Sequence, residues 1–253
     1  MEDKKFTVRA AERALDILLC FTEKREWSLT EIAQHTGLNK STVYRLLVTL
    51  EGKGFLRRNP ETEKYRLGFR IWELSANLSQ SDDPAVLFLP EMERLRDELE
   101  ETVSLYIRDG MERVRIQAVE SHQTIRRVAP IGDRMPLTVG ASSKVLVAYA
   151  PPETQEIILN DPSWPETIDR ERYRKQLEEI RRRGYATSME EREAGASAVA
   201  APVFNRLGEI IAALAVSGPV GRLTEEKMEA FAPRIIEAAQ RMGKMVKGGA
   251  AVR

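Results

Sequence analysis

Cysteine and histidine are scarce in this sequence. Its 253 residues include one cysteine, Cys20, and two histidines, His35 and His122, which lie far apart. A single cysteine excludes an intramolecular disulfide and a cysteine-rich metal site, and two distant histidines argue against a structural zinc site. We therefore predict no metal site and no cofactor, and we expect Cys20 to be a small core residue.

Long apolar runs are also absent. No run approaches the roughly 20 residues that a transmembrane helix needs. The start of the chain, Met1 to Lys5, leads into an amphipathic segment rather than the apolar core of a signal peptide. We therefore expect a cytoplasmic protein that does not associate with membranes. A length of 253 residues and a hydrophobic fraction of 42% are ordinary for a globular protein with two modest domains.

The net charge of the chain is zero. The 39 lysine and arginine residues balance 39 aspartate and glutamate residues, which by itself argues against nucleic-acid binding. The first 80 residues nevertheless carry a net charge of +3, and the remainder carries −3. Because this bias is mild, the positions of the basic residues matter more than their number.

The residues up to Gly52 have the pattern of a helix-turn-helix. Apolar spacing predicts a first helix over 9–22. Ser28-Leu29-Thr30-Glu31 forms a capping box that begins a short helix, and Gly37 suits its left-handed end. Asn39 can then cap a third helix, whose buried stripe is Val43, Leu46, Leu47 and Leu50. Two helices joined by about three residues around a central glycine are typical of the helix-turn-helix motif.

A basic hairpin is predicted directly after these helices. Two strand-like runs, 55–58 and 64–67, flank turn-forming residues at 59–63. A hairpin in this place is a wing, and the preceding helix fits the major groove of DNA with its N-terminal residues at the base edges. The residues predicted to contact double-stranded DNA are Thr30, Lys40, Ser41, Thr42, Tyr44, Arg45, Arg57, Arg58, Lys64 and Arg66. A winged helix that serves only as a protein-interaction adaptor is an alternative.

The rest of the sequence mixes helices and strands. A helix is predicted at 69–79, before a polar stretch that ends at Pro84. Strands are predicted at 102–108, 113–120, 125–130, 197–204 and 209–217. Further helices are predicted at 85–100, from 140, at 152–160, at 169–183 and from Thr224, where we expect Pro233 to break or kink the helix. Strands bracketed by helices indicate an α+β fold with a largely antiparallel sheet.

Several motifs occur in order along the chain. They are Arg13-Ala14-Leu15-Asp16-Ile17-Leu18, Leu29-Thr30-Glu31-Ile32-Ala33, Gly37-Leu38-Asn39-Lys40-Ser41-Thr42-Val43-Tyr44-Arg45-Leu46-Leu47, Tyr65-Arg66-Leu67-Gly68, Met135-Pro136-Leu137, Gly140-Ala141-Ser142-Ser143-Lys144, Ala200-Ala201-Pro202-Val203 and Ser217-Gly218-Pro219. With these motifs, residues from about 8 to 245 resemble the IclR family of bacterial transcription regulators.

The resemblance implies the domain organisation and the partners. It implies a winged helix-turn-helix domain at 5–68, a linker and dimerisation helix at 69–84, and a GAF-like α/β effector-binding domain at 85–250. Family members bind palindromic operators as homodimers or homotetramers and respond to a small organic acid or aromatic compound. The resemblance therefore implies a regulator that has no catalytic residues, and the linker helix is the natural element to transmit effector binding.

The resemblance also implies where the effector binds. It places the ligand at the helix start of Gly140 and Ala141, whose backbone N–H groups, with the Ser217 hydroxyl, are the expected donors. Ser188, Ala198 and Ala215 stand where carboxylate-binding members have Asp, Cys and Ser. The full predicted set is Met135, Leu137, Gly140, Ala141, Ser188, Ala198, Ala215 and Ser217. Fewer polar groups predict a less polar pocket and an effector larger or more apolar than glyoxylate or pyruvate.

An enzyme that acts on a small acid is the other alternative. The residues Gly140-x-Ser142-x-Lys144 lack the second glycine of a nucleophile elbow, and the spacing is not that of an S-x-x-K dyad. Helix capping by Ser142 or Ser143 is the simpler interpretation. The three hypotheses differ in their assays, since an enzyme turns over a substrate and an adaptor shows no salt-sensitive DNA binding.

Overall fold

The computed structural model describes residues 7–78, 83–128 and 130–246. The chain divides into two compact units, Met1–Gln80 and Ser81–Arg253, and each is described by itself. Parts of the predicted domains lie outside the described residues, namely 5–6, 79–82, 129 and 247–250, and residue 129 belongs to the predicted strand 125–130. No helix among the residues that the structure describes is both long and apolar enough to span a membrane.

The first unit has the predicted winged helix-turn-helix. Its elements are α1 Arg9–Cys20, α2 Leu29–Thr36, α3 Lys40–Gly52, β1 Leu56–Arg58, β2 Tyr65–Leu67 and α4 Phe69–Leu78. Strands β1 and β2 are antiparallel and form the wing. Trp27 adds a bridge to Tyr65 through two backbone hydrogen bonds of 3.0 and 2.7 Å, so the base of the wing is joined to the segment before α2.

The helix ends follow from local chemistry. The Glu31 N–H donates to Ser28 Oγ at 3.3 Å, and the Ser28 N–H donates to Glu31 Oε2 at 2.7 Å, which completes the predicted capping box. Gly37 ends α2 with φ of +68°, a conformation that glycine adopts without strain. The structure confirms Asn39 as the N-cap residue of α3, although its side chain makes no capping hydrogen bond.

One apolar core holds the first unit together. Its buried members include Ile17, Ile32, Val43, Leu47, Leu50 and Leu56. Leu46, which was predicted to be buried with them, is only half-buried. The Cys20 thiol is buried in this core, and burial raises its pKa, so the side chain serves as a small apolar residue.

The second unit is built around a six-stranded sheet. Its strands are β3 Thr102–Asp109, β4 Glu112–Val119, β5 Arg134–Pro136, β6 Ala186–Met189, β7 Ala196–Phe204 and β8 Ile210–Pro219. Its helices are α5 Pro84–Leu87, α6 Leu89–Leu99, α7 Ala141–Ala148, α8 Pro152–Leu159, α9 Arg170–Arg183 and α10 Glu225–Met245. The strand order is β5-β4-β3-β8-β7-β6, and every pair is antiparallel, which confirms the predicted sheet type.

Three predictions in this unit are wrong. Residues 125–128 form no strand, because Ile125 and Val128 are mostly exposed and have no apolar layer to cover them. The short strands β5 and β6, at the two edges of the sheet, were not predicted. Helix α10 continues through Pro233, so the predicted break is wrong and a kink stays a prediction. The missing N–H removes one helical hydrogen bond without ending the helix.

Helices cover both faces of the sheet. Helices α6 and α10 pack with the side chains of one face into one core, and α7, α8 and α9 pack with those of the other face into a second. Alternation along a strand separates the two faces, so Val199 lies in the first core and Ala200 in the second. Small side chains under α7, such as Ala200 and Ala215, allow this fully buried helix to lie directly on the strands. Its N-terminus is thereby held beside β7 and β8.

Candidate functional site

The predicted DNA-contacting residues form an exposed surface on the first unit. Lys40, Ser41, Tyr44 and Arg45 are exposed on α3, and Thr42 is half-buried. Thr30, at the start of α2, is exposed as well. The buried stripe of α3 faces the core, so its polar face is free to enter a groove.

Most cations of this surface have no acidic partner. Arg58 is paired with Glu63 at 2.7 Å. The other five form no ion pair with any residue that the structure describes, namely Lys40, Arg45, Arg57, Lys64 and Arg66. Arg57 and Arg66 are directly opposite in the register of the wing. Like charges in this arrangement reduce strand stability, and a phosphate would offset that repulsion.

The second unit contains a cavity at the start of α7. Six of the eight predicted effector-binding residues line it: Gly140, Ala141, Ser188, Ala198, Ala215 and Ser217. The sheet register explains why they meet, because Ala198 is opposite Ser188 on one side and Ser217 on the other. Met135 and Leu137 are buried but do not line the cavity. The Leu137 carbonyl instead accepts a hydrogen bond of 2.7 Å from the Tyr173 hydroxyl.

Gly140 is required at the start of α7 for two reasons. Its φ is +93°, which L-residues rarely adopt. A Cβ at this position would also lie 2.8 Å from Arg113 Nη1. The Arg113 guanidinium therefore rests against the backbone of the predicted effector site.

Charged residues that the sequence analysis missed line the same cavity. They are Arg113 on β4, Arg127 before β5, and Arg192 and Glu193 between β6 and β7; the Tyr106 ring on β3 also lines it. Arg127 is paired with Glu193 at 2.7 Å, which leaves Arg113 and Arg192 without a carboxylate among the described residues. Cationic side chains therefore line the cavity beside Ala198 and Ala215, and a pocket less polar than in carboxylate-binding members stays a prediction.

Arg113 is a buried cation with neutral partners. It is 4% exposed, and its Nη1 donates to Ser143 Oγ at 2.6 Å and to the Val139 carbonyl at 3.2 Å. Burial lowers its pKa to about 10, and the nearby cations Arg192 and Arg115 add to the effect. The group is still charged at neutral pH, so the cavity has a positive wall.

One of the predicted donors is already used within the chain. The Gly140 N–H donates to Glu191 Oε2 at 3.0 Å, and Lys144 Nζ donates to Glu191 Oε1 at 2.5 Å. A carboxylate thus occupies the positive end of α7, as expected for a helix N-terminus, but it comes from the protein itself.

The cavity is small. The centres of water-sized molecules can occupy about 50 Å³ of it. No three His, Cys, Asp or Glu side chains within the described ranges lie close enough together to hold a metal ion. Cationic and neutral polar groups around a small space suit a compact anion.

A winged helix-turn-helix followed by a domain with an internal cationic cavity defines a ligand-binding transcription regulator. Two family models match the chain: the IclR helix-turn-helix domain at residues 10–60 and the bacterial transcriptional regulator IclR C-terminal domain at residues 80–244. The chain belongs to the IclR family. It is an IclR-type transcriptional regulator with a DNA-binding and an effector-binding domain, as the sequence predicted.

Curated relatives match over almost the whole chain. The chain is 32% identical to the HTH-type transcriptional regulator KdgR of Escherichia coli over 244 residues, which cover 93% of this chain and 92% of KdgR. It is 34% identical to XynR of the same species over 240 residues, with 91% and 94% covered. The transcriptional repressor IclR of Escherichia coli is 28% identical over 241 residues, with 92% and 88% covered.

Solved structures show the same fold. An IclR regulator from Alicyclobacillus acidocaldarius has a TM-score of 0.81 at 26% identity and covers 96% of this chain and 100% of its own. An IclR homolog from Microbacterium hydrocarbonoxydans, solved in complex with 4-hydroxybenzoate, has a TM-score of 0.81 at 26% identity, with 92% and 98% covered.

Proposed function

We propose that this regulator binds a palindromic operator as a homodimer, or as a pair of dimers, and that a small organic acid in the cavity around Gly140 changes its affinity for that operator. The observation that carries the proposal is the cationic lining of the cavity, in which Arg113 and Arg192 have no carboxylate partner among the described residues. An organic acid supplies the missing negative charge.

A compact acid fits this cavity better than the larger effector expected from the sequence. The volume accommodates only a few heavy atoms beside Ala198 and Ala215. A larger acid requires a side chain at the rim to move, and Arg192 is exposed enough to do so. The relative bound to 4-hydroxybenzoate supports an acidic ligand for this kind of domain.

The first unit supports dimerisation through α4. Phe69, Trp72 and Leu74 are each more than half exposed on this helix, and the Trp72 side chain is 67% exposed. Apolar residues exposed together are typical of an interaction surface. A two-fold dimer presents two reading helices, and half-sites about one helical turn apart on the operator follow from it.

The test of the proposal starts from the operator. DNA selected from a random pool by the full chain is labelled, and its affinity is measured by fluorescence anisotropy with and without small carboxylic acids. We expect a palindromic site, steep salt dependence, and at least one acid that changes the affinity several-fold. An affinity that no acid alters would contradict the effector response, and loss of salt dependence would favour the adaptor hypothesis.

A charged substitution on α4 tests whether this helix forms the dimer interface. Trp72→Glu places a carboxylate on the proposed interface, so we expect sedimentation to show monomers and operator affinity to fall. Leu207→Glu is the control, because Leu207 is equally exposed but lies on the β7–β8 turn of the other unit. A Trp72→Glu protein that remains a dimer would contradict the role of α4.

The enzyme hypothesis has little support in the cavity. Ser143 Oγ accepts from Arg113 and donates to the Pro136 carbonyl at 2.8 Å, and Lys144 Nζ is held by Glu191. Neither the Ser142 hydroxyl nor the Ser143 hydroxyl has a hydrogen-bonded base to activate it among the described residues. We expect no turnover of the acids that bind.

A further inference from the structure

We propose that Arg113, and not the Gly140 N–H, binds the acid group of the effector. The inference rests on the proposed response to an organic acid and names the residue that recognises it. It departs from the arrangement that the family resemblance implies, in which the N–H groups of Gly140 and Ala141 receive the ligand.

The Gly140 N–H is unavailable because it already donates a hydrogen bond to Glu191 Oε2. The Glu191 carboxylate bridges the Gly140 N–H and the Lys144 ammonium. The Lys144 side chain is only 6% exposed, so displacing Glu191 would leave a buried ammonium without its counter-charge. Removing the partner of a buried charge is unfavourable, and an incoming acid would have to compensate that loss before it gained affinity.

Arg113 offers the opposite situation. It lines the cavity, is 4% exposed, and forms no ion pair with any of the residues described. Its partners are a hydroxyl, a carbonyl and the Met135 sulfur, and its Nε donates to no acceptor. A buried cation with neutral partners is costly to the folded protein, and a carboxylate bound to it removes that cost.

Two further groups converge on the same place. Arg192 Nη1 contacts the Met135 sulfur, which Arg113 Nη2 also contacts at 3.5 Å, so two guanidinium groups meet at one uncharged atom. Ser197 lines the cavity, is 2% exposed, and its hydroxyl has no hydrogen-bond partner. A small carboxylic acid with a second oxygen, such as a 2-oxo or hydroxy acid, would use both arginines and this hydroxyl.

The experiment compares acids with their amides, because the two differ in charge and little in shape. The melting temperature of the full-length protein is measured at constant ionic strength with pyruvate, lactate and 4-hydroxybenzoate, and with pyruvamide, lactamide and 4-hydroxybenzamide. We expect at least one acid to raise the melting temperature of the wild type and its amide to have no effect. Isothermal titration with that acid then gives its Kd.

Four variants locate the charge that is responsible. Arg113→Met should weaken binding of the acid by about tenfold or more, and Arg113→Lys, which keeps the charge, should restore part of it. Arg115→Met is the neighbouring control, since Arg115 is equally buried on β4 and lacks an ion-pair partner among the described residues, but donates to the Tyr106 hydroxyl and does not itself line the cavity. It should retain the acid-specific shift. Glu191→Gln should change the Kd by less than Arg113→Met does.

Three outcomes would overturn the inference. They are a wild type that distinguishes no acid from its amide, an Arg113→Met variant that binds the acid as the wild type does, and a Glu191→Gln variant whose gain in affinity exceeds the loss in Arg113→Met. The last would assign the acid to the helix amide. If Arg113→Met does not fold, Ser143→Ala, which removes the strongest hydrogen bond that positions Arg113, replaces it with the same expected direction.

Failure of this inference can be distinguished from failure of the proposed function. An acid that changes operator affinity in Arg113→Met as it does in the wild type leaves the effector response intact and refutes the role of Arg113. An acid that binds through Arg113 but never changes operator affinity supports the role of Arg113 and refutes the effector response.

Discussion

At the scale of single residues, Gly140 links backbone conformation to the charge in the cavity. We expect Gly140→Ala to reduce the free energy of unfolding by about 1–3 kcal/mol through backbone strain alone, and further because its Cβ would displace Arg113. Gly208→Ala is the control, since Gly208 also has a positive φ, +79°, but no atom within 4 Å of an added Cβ. Denaturant unfolding measures both. Equal losses of unfolding free energy in the two variants would show that the contact between the added Cβ and Arg113 does not contribute to the destabilisation.

Glu31 gives the first unit a defined acid sensitivity. Hydrogen bonds from Lys24 and from Ser28 lower its pKa from 4.5 to about 2. Because the folded value lies below the unfolded one, its contribution to stability is complete above pH 4.5 and is lost as the pH falls toward 2. We expect Glu31→Gln to be less stable than the wild type at pH 6, with the difference shrinking toward pH 2. Thermal unfolding across this range measures it, and a difference that is constant with pH would contradict the assignment.

Arg113 shows why part of the site could not be predicted from the sequence. The run Glu112-Arg113-Val114-Arg115-Ile116 alternates polar and apolar residues, which indicates a strand with one solvent-facing side. Alternation states that Arg113 and Arg115 share a face, but it does not state that α7 covers that face. Gly140 and Ser217 were predicted because short motifs carry them, whereas the burial of Arg113 depends on an element about 30 residues away.

At the scale of elements, the wing allows a matched comparison of two arginines on one strand. Arg57 has no ion-pair partner among the described residues, whereas Arg58 is paired with Glu63. We expect Arg57→Ala to weaken binding to specific and random DNA alike and to lower the salt slope of affinity by about 1. Arg58→Ala should have a smaller effect. Anisotropy titrations at several salt concentrations test this, and equal effects would show that Glu63 releases Arg58 to the DNA.

Elements with local signals were predictable, and those that depend on partners were not. The capping box at Ser28 and the left-handed Gly37 determine the ends of α2 from within a few residues. Residues 125–128 were predicted to be part of a strand but pair with no strand among the described residues, while β6 is an edge strand of four residues that pairs with β7. Strand identity is thus decided by distant pairing.

At the scale of the whole molecule, regulation requires a coupling free energy between the DNA-binding site and the effector site. An effector can change operator affinity only if it binds the operator-bound and free states with different affinities. Linkage then makes the effect reciprocal, since operator must change the affinity for the acid by the factor by which the acid changes the affinity for operator. Phe69–Leu78 forms α4, which closes the DNA-binding unit and precedes the cavity-bearing one.

We therefore expect the same factor to describe the effect of the acid on operator affinity and the effect of operator on acid affinity. For an acid that weakens operator binding tenfold, saturating operator should raise the Kd of that acid tenfold, a coupling free energy of about 1.4 kcal/mol. Titration calorimetry with and without operator, beside anisotropy with and without acid, gives the two factors. Arg113→Met should raise the acid concentration needed for either effect by the same tenfold or more by which it weakens acid binding. Arg57→Ala should weaken DNA binding and leave the coupling factor unchanged, because it acts on affinity and not on coupling. An acid affinity that is independent of operator would mean that the acid does not regulate binding.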